Sequence, residues 1–200
     1  SDWQVKRLVD MNSDGVVDLL LQHQSTYAYE AVALNLNRTE RVAGTHSLSA
    51  GIPQDENWVL QQVADYNQDG NVDLIVRHKA DGRWKGFLLN GQGNLVPGSR
   101  NMGMTKDINW HVVPTEQAEE DAIINDDFNG DGIPDVLMRN SNGIWWINHL
   151  NGNRGLAANS GGIAMIGDTN YQLKAKADFN NDGFEDVLVR NMNTGVWFMY

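Results

Sequence analysis

A nine-residue string, D-x-N-x-D-G-x-x-D, occurs four times in this 200-residue chain without one departure, at residues 10–18, 65–73, 127–135 and 178–186. Oxygen-bearing side chains at alternate positions, bent round a glycine, bring hard ligands to one point. Ca²⁺ requires that arrangement, with 6–8 oxygens at ~2.3–2.6 Å and tolerant geometry. Glycine at the sixth position permits a turn that a Cβ would oppose. Side-chain ligands are expected at positions one, three, five and nine. In the first two copies these are Asp10, Asn12, Asp14 and Asp18, then Asp65, Asn67, Asp69 and Asp73. The last two copies give Asp127, Asn129, Asp131 and Asp135, then Asp178, Asn180, Asp182 and Asp186. Position seven (Val16, Asn71, Ile133, Phe184) is expected to offer only its backbone carbonyl, and about four Ca²⁺ per chain are expected.

An EF-hand shares the first nine positions but needs a bidentate Glu at the twelfth, on an exiting helix. Here the twelfth positions are Leu21, Val76, Met138 and Val189. The loops run instead into Leu19-Leu20-Leu21, Leu74-Ile75-Val76, Val136-Leu137-Met138 and Val187-Leu188-Val189. Three apolar residues followed by a polar one predict a short strand buried on both faces.

The loop starts lie 55, 62 and 51 residues apart. Trp3, Trp58 and Tyr171 stand seven positions ahead of their loops, and Trp110 stands seventeen ahead because of an acidic insertion at 114–121. Alternating residues between aromatic and loop, as in 58–63, predict a first strand. A third strand begins at Gly82-Arg83-Trp84, Gly143-Ile144-Trp145 and Gly195-Val196-Trp197, with Tyr29 in the corresponding place of the first repeat. Leu89-Asn90-Gly91 and Leu150-Asn151-Gly152 read as type I′ hairpin turns, leading into weaker fourth strands at 95–100 and 163–166. The expectation is an all-β chain of four repeats, 1–56, 57–108, 109–168 and 169–200, each a four-stranded antiparallel blade except the incomplete last. A lone sheet cannot cover both faces, so neighbours must stack, as in a β-propeller.

The pattern Trp-x(6)-Asp-Phe-Asn-x-Asp-Gly-x-x-Asp-Val-Leu-x-Arg-Asn followed by Gly-x-Trp resembles the FG-GAP/VCBS repeat family. Its calcium-bearing blades are similar to those of the integrin α-subunit propeller and of many bacterial surface proteins. The resemblance implies calcium at the Asp and Asn positions above, a propeller fold and an extracellular adhesive or recognition role. Such propellers commonly carry about seven blades, whereas four repeats are visible here.

Composition bears on partners and location. The twelve loop aspartates account for more than the whole net charge of −11, and four bound Ca²⁺ would bring it to about −3. The acidity belongs to the loops and argues against a nucleic-acid surface. Cysteine is absent, so the redox compartment is silent, and location rests on the metal. Loops of this kind fill where calcium is abundant, as outside the cell. No apolar run of about 18 residues predicts a membrane span. The chain starts Ser1-Asp2-Trp3 without a leader, as expected of a processed protein or a piece of a longer one.

Other candidates are read as structural. His23 and His78 share a register with Asn140 and Asn191, which suits a hydrogen-bonding strand end better than a general base. Arg77, Arg139 and Arg190 share another register, with Gln22 in the first repeat, suited to bonds between blades. The recurring aromatics are expected between blades. Of Trp145 and Trp146, one is expected to be exposed and able to stack on a sugar ring. Asn37-Arg38-Thr39 is a glycosylation sequon.

The expected function is a non-enzymatic extracellular module for adhesion or for glycan or protein recognition. Rivals are a subunit of a surface fibre and part of a polysaccharide-degrading enzyme, seeded by Glu116, Glu119, Glu120, Asp121 or Asp126. The apolar edge at 196–200 is expected to continue into further repeats, to take a partner strand, or to self-associate.

Overall fold

Each loop separates two runs of alternating residues, and each pair of runs becomes an antiparallel pair of strands. In a computed structural model, residues 2–34, 46–48, 51–98, 100–113, 126–152 and 155–200 are described. The acidic insertion at 114–121, the sequon at 37–39 and the carboxylates of Glu116, Glu119, Glu120 and Asp121 lie outside them. Among the described residues every regular element is a strand, and none is a helix.

Sheet 1 comprises β1 (Trp3–Val9), β2 (Asp18–His23), β3 (Tyr29–Val32) and β4 (His46–Ser47), hydrogen-bonded in that order. Sheet 2 repeats the order with β5 (Trp58–Ala64), β6 (Asp73–His78), β7 (Trp84–Phe87) and β8 (Arg100–Asn101). Sheet 3 is built from β9 (Trp110–Val112), β10 (Val136–Asn140), β11 (Trp145–Asn148) and β12 (Gly161–Ile163). Sheet 4 has three strands, β13 (Tyr171–Ala177), β14 (Asp186–Asn191) and β15 (Trp197–Met199). All pairings are antiparallel, and each first strand carries the same irregularity, at Val5/Arg7, Leu60/Gln62 and Leu173/Ala175 in sheets 1, 2 and 4.

The second strands show why the sheets stack. Side chains alternate along a strand, so an apolar triplet must be covered on both sides. Leu74 and Val76 share a core with Leu20 and Tyr29 of sheet 1. Ile75, between them, joins Trp84 in a second core with Val136 and Met138 of sheet 3. Leu137 then joins Trp145 and Ile147 in a third core with Tyr171, Leu173, Val187 and Val189 of sheet 4. The result is four sheets stacked in chain order. Arginines fasten the stack: Arg77 donates to the carbonyls of Trp110 and, at 2.7 Å, Asp107, while Arg139 donates to those of Tyr171 and, at 2.9 Å, Asp168. Each guanidinium also lies over the third-strand Trp of its own sheet, 4.7 Å from Trp84 and 4.5 Å from Trp145.

Three expectations need correction. The turn after Leu89 is not a two-residue type I′ turn. Leu89 bridges Leu95, the Asn90 N–H donates to the Asn94 carbonyl at 2.9 Å, and Gly93 rather than Gly91 takes the positive φ, 69°. Leu150 likewise bridges Leu156. The fourth strands are short and displaced from 95–100 and 163–166 to Arg100–Asn101 and Gly161–Ile163. Finally, Trp197 does not lie between sheets but is 50% exposed. Trp145 is buried and Trp146 is exposed, as alternation requires.

Candidate metal centre

The four loops join first to second strands, and they adopt one conformation. The position-one carboxylate accepts from the amides of positions five and six: Asp10 from Asp14 and Gly15 at 3.1 and 2.8 Å, Asp65 from Asp69 and Gly70 at 3.1 and 2.9 Å. Asp127 and Asp178 repeat this with Asp131 and Gly132 at 3.2 and 2.7 Å, and with Asp182 and Gly183 at 3.0 and 2.9 Å. The position-three carboxamide oxygen (Asn12, Asn67, Asn129, Asn180) also accepts from the position-five amide, at 2.8–3.0 Å. The first and third side chains therefore converge on one point in every copy. The position-five carboxylate accepts in turn from the amide of position seven, Val16, Asn71, Ile133 or Phe184.

Two positions hold the turn. Gly15, Gly70, Gly132 and Gly183 take φ of 80–90°, as the sequence pattern anticipates. Position four does so as well: Ser13, Gln68 and Asn181 sit at φ 57–60° and Gly130 at 74°. Sequence reading missed that second left-handed residue, although Asn and Gly there are a signal for it.

Position nine behaves differently from the rest. One oxygen of Asp18, Asp73, Asp135 and Asp186 accepts from the position-two amide (Met11, Tyr66, Phe128, Phe179) at 3.0–3.1 Å. In the first three copies the other oxygen accepts from an amide just beyond the third strand, that of Leu34, Leu89 or Leu150, at 2.8–3.0 Å. These aspartates brace loop to sheet. Burial raises the pKa of Asp18 and pushes that of Asp73 up to about 7, against the lowering effect of the amides. Asp135 is also raised by burial, and its carboxylate meets His149 Nδ1 at 2.7 Å. Ala33 and Leu88 stand where the other sheets have His149, so this contact is peculiar to the third repeat.

The donor set fits a hard cation in its chemistry. Two carboxylates and a carboxamide surround each cup, and among the described residues no Lys or Arg pairs with the carboxylates at positions one and five. With position nine turned to the sheet, no group of three His, Cys, Asp or Glu side chains among the described residues is drawn together. A bound cation would therefore rest on Asp, Asn and Asp with the position-seven carbonyl, and would reach position nine only through an oxygen already accepting an amide.

The loops also touch one another. The Ser13 hydroxyl donates to the Gly70 carbonyl, Gln68 Nε2 to the Asp131 carbonyl at 3.3 Å, and the Glu185 amide to the Asp127 carbonyl at 3.1 Å. A Cβ added at Gly130 would lie 2.9 Å from the Phe184 ring. All four loops thus form one row along one end of the stack. Behind it, Asp126 is buried against Lys176 and accepts from Gln62 Nε2 at 3.0 Å, so it offers no free carboxylate for catalysis. Burial and the nearby Asp126 charge push Glu185 up to about 7, opposed by Lys176.

The far end of the stack holds the registered histidines. His23 Nδ1 accepts from Ser25 and Thr26 amides at 3.2 Å, and His78 Nδ1 lies 2.9 Å from Asp81. The Asn140 and Asn191 carboxamides accept from turn amides in the same place. These are strand-end hydrogen bonds. Between sheets 2 and 3 at this end, Gln61, His78, Lys79, Ile108 and His111 line a cleft of about 220 Å³.

Residues 127–189, spanning the third and fourth loops, match the family model described as an FG-GAP-like repeat. No curated protein matches the chain.

Proposed function

We propose that this chain, which carries FG-GAP-type repeats, is a calcium-stabilised, propeller-like recognition module that works outside the cell. The observation that carries the reading is the row of four identical oxygen-lined loops, each bonded to the next, at one end of stacked four-stranded sheets. Calcium in the row would neutralise carboxylates that otherwise repel one another and would fix the loops that join first and second strands. It has no role in chemistry here; its part is rigidity.

That arrangement leaves the opposite end for a ligand. The cleft beside His78, Lys79 and His111 combines cationic and hydrogen-bonding groups with the apolar side chain of Ile108. Such a lining suits a glycan bearing carboxylate or sulfate groups, or an acidic protein segment. Among the described residues no helix is long and apolar enough to cross a membrane. FG-GAP-type repeats are typical of extracellular proteins, and calcium supply favours that location.

The test is binding to glycan and protein arrays in calcium and in chelator, with Lys79→Ala and His111→Ala alongside the parent. Binding that needs calcium and falls in both variants supports the reading. Binding that is unaffected by chelator and by both variants contradicts it.

A further inference from the structure

The three internal junctions are built alike, and the two end faces of the stack are the two halves of such a junction. On the leading side, each junction uses the middle residue of the second-strand triplet (Leu20, Ile75, Leu137) and the third-strand aromatic (Tyr29, Trp84, Trp145). On the trailing side it uses the outer two residues of the next triplet and the first-strand aromatic, Trp58, Trp110 or Tyr171. Sheet 4 presents the leading set without a cover. Leu188 is half-buried, Trp197 and Met199 are 50% and 55% exposed, and Arg190 lies 5.4 Å from the Trp197 ring as its counterparts do over Trp84 and Trp145. Arg77 and Arg139 each donate to the carbonyl of the next sheet's first aromatic, whereas Arg190 makes no such bond among the described residues. Sheet 1 presents the trailing set: Trp3, Leu19 and Leu21 are half-buried, and Val5 is 57% exposed where its counterpart Leu173 is buried. No core cluster joins sheet 4 to sheet 1 within the chain.

We infer that the leading face of sheet 4 docks the trailing face of sheet 1 in a second copy of this chain. Leu188 packs between Leu19 and Leu21 of that copy, Trp197 covers its first strand, and Arg190 donates to its Trp3 carbonyl. Asn181, at the position where Ser13 and Gln68 bridge loops, extends the row of loops across the boundary. The contact is head to tail, so it generates rings or filaments rather than closed two-fold dimers. The surface used is the face of the sheet, separate from the hydrogen-bonding edge of β15. The inference does not depend on the metal or on the ligand cleft.

Because the chain has no cysteine, mixed cross-linking tests it directly. Leu188→Cys protein mixed with Leu21→Cys protein and oxidised is expected to give a disulfide-linked pair, and Leu188→Cys mixed with Lys106→Cys is not. In sedimentation runs from micromolar to millimolar protein, the parent is expected to associate, and Arg190→Ala and Trp197→Ala to weaken association roughly tenfold or more. Both substitutions lie on an uncovered face, so melting curves should confirm that the variants fold. A chain that stays monomeric throughout would overturn the inference. Association untouched by both variants would also overturn it, since that points to the strand edge. An intramolecular disulfide in the Leu21→Cys/Leu188→Cys double variant would overturn it as well, by showing closure within one chain.

Discussion

The four aspartates of one register and the four of another, alike in sequence, do different work. Asp69 sits in the exposed cup and accepts only from its own loop, whereas Asp73 is fully buried and holds the amides of Tyr66 and Leu89. Removing Asp69 as Ala should abolish one calcium site and leave the metal-free melting temperature almost unchanged. Removing Asp73 as Ala strands two buried amides, at ~1–3 kcal/mol each, and should lower that temperature even in chelator. Equal metal-free melting of the two variants would show that position nine is no brace. The Asp73 pKa, raised from 3.8 to about 7, also sets a pH dependence. A carboxyl whose folded pKa is raised contributes stability that is complete below about pH 4 and lost as pH rises through about 7. Metal-free protein should therefore melt lower at pH 7.5 than at pH 5 on this account, and Asp73→Asn should flatten the slope. Gly132 needs φ of 80°, and a Cβ there would meet Gln68 Nε2 at 2.6 Å, so Gly132→Val should destabilise the loop row more than Asp131→Ala.

At the scale of the element, the sequence was most legible where one physical requirement dominates. An apolar triplet after each loop can only be a strand covered on both sides, and Leu74-Ile75-Val76 divides between two cores as that demands. The turns were less legible. Asn90-Gly91 has the composition of a two-residue hairpin, but the chain closes on Leu89 and Leu95 with Gly93 as its left-handed residue. Dipeptide propensity could not show which of two glycines the register selects. The brace at position nine was equally hidden, because it depends on amides sixteen residues downstream. The arginine register was readable as a bond between sheets. Arg139→Ala removes two charge-assisted bonds to sheet 4 and the contact with Trp145. It should cost ~2–4 kcal/mol and release protection from hydrogen exchange in 171–191 before the rest of the chain. Uniform loss across all four sheets would contradict that local role.

At the scale of the molecule, four sheets meet only their neighbours, which makes the stack quasi-one-dimensional: stability adds through three junctions and the row of loops. Calcium acts on that row as a whole, since each loop is bonded to the next. The measurement that tests this account most directly is a calorimetric calcium titration of chelator-stripped protein, with the melting temperature followed in parallel. The account predicts a stoichiometry approaching four per chain, with stability rising by ~2.7 kcal/mol per independent site when free calcium reaches about 100 times Kd. A stoichiometry of one or none, or filled loops with an unchanged melting temperature, would contradict it.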